Sequence, residues 1–333
     1  MSVHLENTSP EDRLAATLAG LGFEPAQPVP CFDESLRVAP DLYRVVGSRG
    51  SMQTRVSITA LHASSGAAQE AMNRAFDEMD RVVPLLNRHL GSSAISTLND
   101  QGGLGDAPPE LTEVLLEARR LHTLSRGAFD VTVKPLVDVI KATGSPATAE
   151  VLDLVDMSSL RLTGDSVRLE KSGMGLTLDG IAKGYVVDRM ADILLRSGIE
   201  RWLIDAGGDI RASGRREDGG PWRVGIQDPD KRNSFPAVTE LGRGAVATSG
   251  CYENALHIVD SATGLSPVLL ESATVRAPTT MMADALATTV FVMPPREALT
   301  LIDSFPDCAC LLLDAEGLQL SSSRWRSISP STH

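Results

Sequence analysis

The stretch Thr177–Asp209, TLDGIAKGYVVDRMADILLRSGIERWLIDAGGD, decides how this chain is read. It reads as a short strand, a helix, and a second strand ending at Gly207-Gly208-Asp209. Ile181, Tyr185, Val186, Met190, Ile193 and Leu194 recur at the three- and four-residue spacing of one helix face, and Gly198 supplies the stop. Gly180 and Gly184 flank Lys183 at the helix start, where unpaired N–H groups and the positive dipole end favour an anion. The two glycines let that anion approach the backbone, and the lysine adds a full positive charge. The segment has neither the G-x-G-x-x-G spacing nor the GK[ST] ending of the common nucleotide-binding loops. Taken alone it fits an anion cradle and an ordinary β-α-β unit with a solvated lysine equally well.

Outward from that stretch, TRVSITALH (54–62) reads as a strand, and AAQEAMNRAFDEMDRVVPLL (67–86) as a helix with Met72, Ala75, Phe76, Met79 and Val83 on one face. PPELTEVLLEARRLHTLSRG (108–127) reads as a helix that starts near Pro109 and stops at Gly127. LRLTGDSVRLE (160–170) is a hairpin turning on Gly164-Asp165. Helices and mainly antiparallel strands mixed along one chain point to an α+β fold. Residues 1–45 read as an appendage: Ser9 caps a helix that continues through LAATLAGLG, and PAQPVPCF follows as a linker, leaving 46–333 as the main domain.

The 333 residues are 42% hydrophobic but only 4% aromatic, so aliphatic side chains must fill the core. A formal net charge of −12 without clustered Lys and Arg excludes a general nucleic-acid binder. There is no apolar run of the ~18 residues a membrane span needs, and residues 1–30 show acidic side chains and no apolar signal core. Cys31, Cys251, Cys308 and Cys310 form no C-x-x-C pair; Cys308 and Cys310 share a strand-like segment and read as core fillers. The expectation is a reduced, cytoplasmic protein with no membrane insertion.

Two further sets of residues carry chemistry. Asp284 and Thr288 stand at i and i+4 of a helical stretch, which places a carboxylate and a hydroxyl on one face. Such hard oxygens suit Mg²⁺, and the same spacing also suits a solvated or capping pair. An anionic ligand on so acidic a chain calls for local positive charge, which a divalent cation and Lys183 would supply. For a general base, His257 opens HIVD close after Thr248-Ser249-Gly250, with Asp260 and Asp209 as rivals.

Several ordered segments resemble the ApbE family of flavin transferases, over roughly residue 46 to the C-terminus. GSMQTRVSIT (50–59) resembles its Met-Gly-Thr strand, LNRHLGSSAISTLND (86–100) the segment before the flavin pocket, and SRGAFDVTVKPLV (125–137) its Gly-Ala-Phe-Asp signature. AVATSGCYE (245–253) with HIVDSATG (257–264), and TVRAPTTMMADALATTVFVM (274–293), complete the series around the quoted stretch.

The resemblance implies a single T-fold-like α+β domain that moves FMN from FAD onto a threonine or serine hydroxyl of an acceptor flavoprotein subunit and releases AMP. It implies Mg²⁺ held by Asp284, Thr288 and the Gly180 carbonyl, with Lys183 beside the pyrophosphate. It further implies flavin contacts from Met52, His89, Ala128, Phe129, Asp130, Thr177, Ser249, His257 and Ile258, with His257 as the catalytic base. The chain departs from the family pattern at Gln53, His89, Thr177 and Ser261, which stand where the family has glycine, usually tyrosine, often aspartate, and proline. These departures keep two other readings open: an FAD pyrophosphatase giving FMN and AMP, and a flavin-binding protein without turnover.

Overall fold

The computed structural model describes residues 32–145, 147–227, 235, 237–250, 258–314 and 316–326. The chain separates into residues 1–31 and 32–333. The helix expected after Ser9 lies outside the described residues, as do Cys31, Cys251 and His257.

The strands are β1 (Phe32–Ala39), β2 (Leu42–Ser51), β3 (Thr54–His62), β4 (Gly103–Leu104), β5 (Leu160–Thr163), β6 (Ser166–Leu169) and β7 (Arg201–Ala206). They continue with β8 (Ile210–Ser213), β9 (Trp222–Ile226), β10 (Ala237–Leu241), β11 (Arg243–Gly250), β12 (Ser272–Ala277), β13 (Ala309–Leu313) and β14 (Gln319–Ser321). Nine of them form one sheet in the order β1-β2-β3-β7-β8-β11-β12-β13-β14. Every neighbouring pair in it is antiparallel. β1 and the start of β2 belong to this sheet, so the boundary expected at residue 45 moves back to 31. Those strands lie in VAPDLYRVV and its flanks, whereas the PAQPVPCF linker lies, but for Phe32, outside the described residues.

One expectation about the quoted stretch is also corrected. Residues ahead of its helix form no strand. Instead Asn99 takes the place of a neighbouring strand, donating from Nδ2 to the Leu176 carbonyl at 3.0 Å and accepting from the Leu176 N–H at 2.6 Å. The Thr177 N–H donates to the Val131 carbonyl at 2.8 Å. A side-chain amide thus satisfies backbone groups that would otherwise be buried without partners. The strand after the helix, β7, pairs antiparallel with β3 and β8 rather than closing a β-α-β unit.

The core lies between one face of the sheet and the helices Ser65–Leu86, Pro109–Leu124, Ala182–Arg196 and Thr280–Val292. Met72, Ala75, Phe76 and Met79 are buried as their spacing predicts, each large side chain contributing about 2 kcal/mol. The opposite face is covered by the β9–β10 ribbon, with Trp222, Val224 and Trp325 packed on Leu61, Val246 and Leu311. Cys308 and Cys310 are buried free thiols. Among the described residues no helix is long and apolar enough to cross a membrane.

Candidate active site

The site is built where two helix N-termini meet. Gly184 lets the Ala182–Arg196 helix touch the start of the Thr280–Val292 helix: a Cβ at that position would lie 2.4 Å from the Thr280 carbonyl oxygen. Each helix then caps the other. The Gly184 N–H donates to Asp284 Oδ2 at 3.0 Å, while Asp188 accepts from the N–H groups of Thr280 at 2.8 Å and Met281 at 2.9 Å. Arg211 closes the arrangement with a 2.7 Å bond to Asp188. Both carboxylates take up N–H groups that a helix start leaves without intrahelical partners. At this helix start the Gly184 N–H is therefore taken up by the protein's own Asp284.

Asp284 borders a cavity of about 100 Å³ whose lining draws on separate parts of the chain: Ala128, Phe129, Asp130, Thr177, Gly180, Lys183, Ser249, Ile258 and Thr288 among the residues expected at the site, together with Asp179, Asp209, Thr248 and Val259. Asp209 stands at the β7–β8 turn, almost fully buried, and its Oδ2 is 3.3 Å from Lys183 Nζ. Its turn is placed by Gly207, which has φ +68° and packs so tightly that a Cβ would fall 2.4 Å from Thr54 Oγ1. Asp179 lies at the rim, held by Arg88 at 2.8 Å. Burial and the like charge of Asp209 push the Asp284 carboxyl well above the usual carboxylate range, against the opposing pull of Lys183 and the Gly184 N–H.

These residues fit a hard cation. A buried carboxylate crowded by a second one is a group whose charged form a cation would stabilise. Thr288 supplies a hydroxyl one turn on, with Oγ1 3.3 Å from Ser249 Oγ. Gly180 abuts the same hydroxyl, and a Cβ there would sit 2.8 Å from Thr288 Oγ1. Among the described residues no three His, Cys, Asp or Glu side chains converge as they would in a zinc-type cluster. The Asp284 carboxylate and the hydroxyls of Thr288 and Ser249 are hard oxygen donors, the type that suits Mg²⁺.

One wall of the cavity is the turn after the Pro109–Leu124 helix. Arg126, at φ +56°, occupies the left-handed position usually given to glycine, and Gly127 follows at φ +91°. The Gly127 N–H bonds the His122 carbonyl at 2.8 Å and the Arg126 N–H bonds that of Thr123 at 3.3 Å, the paired closure of a Schellman motif. Asp130 then caps the short turn at Val131–Val133, its Oδ1 accepting from Thr132 N at 2.7 Å and Thr132 Oγ1 at 2.5 Å. Ile258 and Val259 form the adjoining wall.

Met52 and His89 do not line this cavity. Met52 is the first corner of the β2–β3 turn and packs half-buried on the core, and both it and Gln53 adopt positive φ, 51° and 60°. His89 is exposed, its N–H bonded to Asn87 Oδ1. Asp260 is tied up within its own turn, accepting from Ala262 N and Thr263 Oγ1, which weakens its standing as a base. Asp179 was passed over in the sequence; an acidic residue beside the site glycine Gly180 was the available signal.

The model of the ApbE family matches residues 52–312. The chain belongs to the ApbE family. It is 34% identical over 212 residues to the FAD:protein FMN transferase of Vibrio cholerae serotype O1, a match spanning 57% of this chain and 63% of that one. Against the FAD:protein FMN transferase of Escherichia coli K12 it is 28% identical over 274 residues, 73% of this chain and 76% of the relative. These named relatives are transferases. Among solved structures, the flavin transferase ApbE from Vibrio cholerae superposes with TM-score 0.73 at 28% identity, covering 84% of this chain and 97% of that one. The ApbE protein from Thermotoga maritima gives 0.74 at 27%, covering 85% and 97%. The α+β, mainly antiparallel architecture described above is thus the ApbE fold.

Proposed function

We propose that this chain is a Mg²⁺-dependent FAD:protein FMN transferase acting on a threonine or serine hydroxyl of an acceptor flavoprotein. The observation that carries the reading is the convergence, in one cavity, of Asp284, Thr288, Gly180 and Lys183 with the Ala128–Asp130 wall, segments far apart in the chain. At about 100 Å³ the cavity is smaller than a site that engulfs a whole small molecule, so it suits the pyrophosphate end of FAD, with the rest lying across its mouth.

In this reading the acceptor oxygen attacks the phosphorus on the riboflavin side, the P–O bond to AMP breaks, and AMP leaves. Lys183 faces the pyrophosphate and offsets its charge, with Asp209 setting the position of the ammonium. Gly184 and the helix dipole hold Asp284 in place; Asp284, Thr288 and the Gly180 backbone would hold Mg²⁺, which when bound polarises the phosphoryl oxygens, and Ser249, beside Thr288, is assigned to the cofactor. His257, outside the described residues, is assigned the acceptor proton, and Ala128, Phe129, Asp130, Thr177 and Ile258 the flavin side. Met52 and His89 are assigned only outer contacts with the ring, beyond the cavity.

The test is incubation with FAD, Mg²⁺ and a candidate acceptor subunit, followed by intact-mass measurement. An FMN adduct that disappears in Asp284→Ala is the expected result. AMP and FMN released at full rate without any acceptor would replace transfer by hydrolysis, and tight FAD binding with no AMP under any condition would reduce the protein to a flavin binder.

A further inference from the structure

The Gly127–Asp130 wall is held from behind by two side chains outside the cavity lining. His122, in the last turn of its helix, brings Nδ1 within 3.0 Å of the Phe129 carbonyl oxygen and 3.2 Å of Asp130 Oδ2. Both neighbours are acceptors, so Nδ1 carries the hydrogen. On the other side, Ser261 Oγ donates to the Gly127 carbonyl at 2.7 Å. That bond joins the turn to the segment carrying Ile258 and Val259, the adjoining wall. The sequence places serine where the resembled motif has proline, which has no hydroxyl to donate, so the tie belongs to this chain.

Two more N–H groups of the turn are bonded within it. The Phe129 N–H donates to Ser125 Oγ at 3.0 Å and the Ala128 N–H to the Ser125 carbonyl at 3.3 Å. Yet the turn passes through Arg126 in a left-handed conformation that a non-glycine residue adopts only when its surroundings impose it. The two outer ties, from His122 and Ser261, add to the Schellman bonds that hold this conformation.

We infer that His122 and Ser261 are positioning residues: together they clamp Gly127–Asp130 against the Ile258–Val259 wall and so set the shape of the flavin side of the site. The inference rests on the flavin reading above for its function, but the clamp itself is measurable without ligand.

The experiment uses the full chain and four variants: His122→Ala, His122→Asn, Ser261→Ala and Ser261→Thr. FAD is the probe, its Kd read by flavin fluorescence and its bound state by the visible absorption band. Amide exchange over residues 126–131 is measured without ligand, and urea midpoints report folding. Each lost tie is expected to weaken FAD binding by about three- to tenfold and to speed exchange at Phe129 and Asp130 by a similar factor. His122→Asn, whose side-chain N–H replaces Nδ1–H, and Ser261→Thr, which keeps the hydroxyl, are expected to recover most of both.

Exchange at the wild-type rate in His122→Ala and Ser261→Ala overturns the clamp. So does His122→Asn behaving no better than His122→Ala. If wild-type protein binds no FAD while exchange responds as expected, the clamp stands and the flavin reading falls. If exchange responds but FAD affinity and spectrum match wild type in every variant, the clamp does not position the site.

Discussion

Replacing Gly184 with alanine sets two effects of opposite sign against each other. Within a helix, alanine is favoured over glycine by about 1 kcal/mol, so on local grounds the substitution stabilises. Across the helix crossing, the new Cβ would lie 2.4 Å from the Thr280 carbonyl oxygen and 2.8 Å from Met281 Cα, about 1 Å short of ordinary contact. Both obstacles are backbone, so no side chain can swing aside and the helices must part. Overpacking of this kind costs about 1–3 kcal/mol. The same parting stretches three bonds now at 2.8–3.0 Å, from Gly184, Thr280 and Met281 to the two aspartates, each contributing about 1 kcal/mol. Summed with the propensity gain, Gly184→Ala is expected to lose about 3–5 kcal/mol, a fall in Tm of about 6–10 °C in a domain of this size. Urea unfolding followed by circular dichroism gives the number directly. A variant as stable as wild type or more so, with only ligand binding impaired, would show that Gly184 serves ligand approach and that the crossing is not tight.

Asp284→Asn is expected to separate stability from activity. It removes a buried charge beside Asp209 while keeping an acceptor for the Gly184 N–H, so the urea midpoint should hold or rise even as Mg²⁺-dependent AMP release is lost; a clear fall in stability would contradict the charge crowding. His122 has its pKa raised above 6.5, chiefly by the hydrogen bond and charge of Asp130, against desolvation. Its protonated form is therefore favoured by the fold, and the stabilisation is complete below pH 6.5 and declines as pH rises through the raised value. The stability gap between wild type and His122→Asn should accordingly be larger at pH 6 than at pH 9, and an equal gap at both would refute the pairing. The Cys308 and Cys310 thiols are pushed up by burial, to about 11 and about 12. Neither should react with an alkylating reagent at pH 8 until the protein unfolds, as peptide mapping would reveal.

What could be read from the sequence followed from local periodicity. The Ser65–Leu86, Pro109–Leu124 and Ala182–Arg196 helices and the Gly164-Asp165 hairpin each announce themselves through spacing or turn chemistry within the element. Asp284 and Thr288 were legible for the same reason, since the helix alone puts them on one face. Features that depend on what a distant segment contributes were not. Gly184 looks like an opening for an anion until the Thr280 carbonyl is placed against it, and Gly207 looks like a simple turn residue until Thr54 arrives. Asn99 carries no signal that it will pair with Leu176, because an asparagine near a helix end satisfies local rules equally well. His122 stands in the last turn of its helix, where the dipole alone would account for it, and only the return of the chain at Phe129 and Asp130 gives it a second role. In each case the residue type is permissive locally and restrictive only in the assembled site. The strongest sequence signals in this chain therefore mark the elements, while the residues that fix the site's shape are read only from the packing between them.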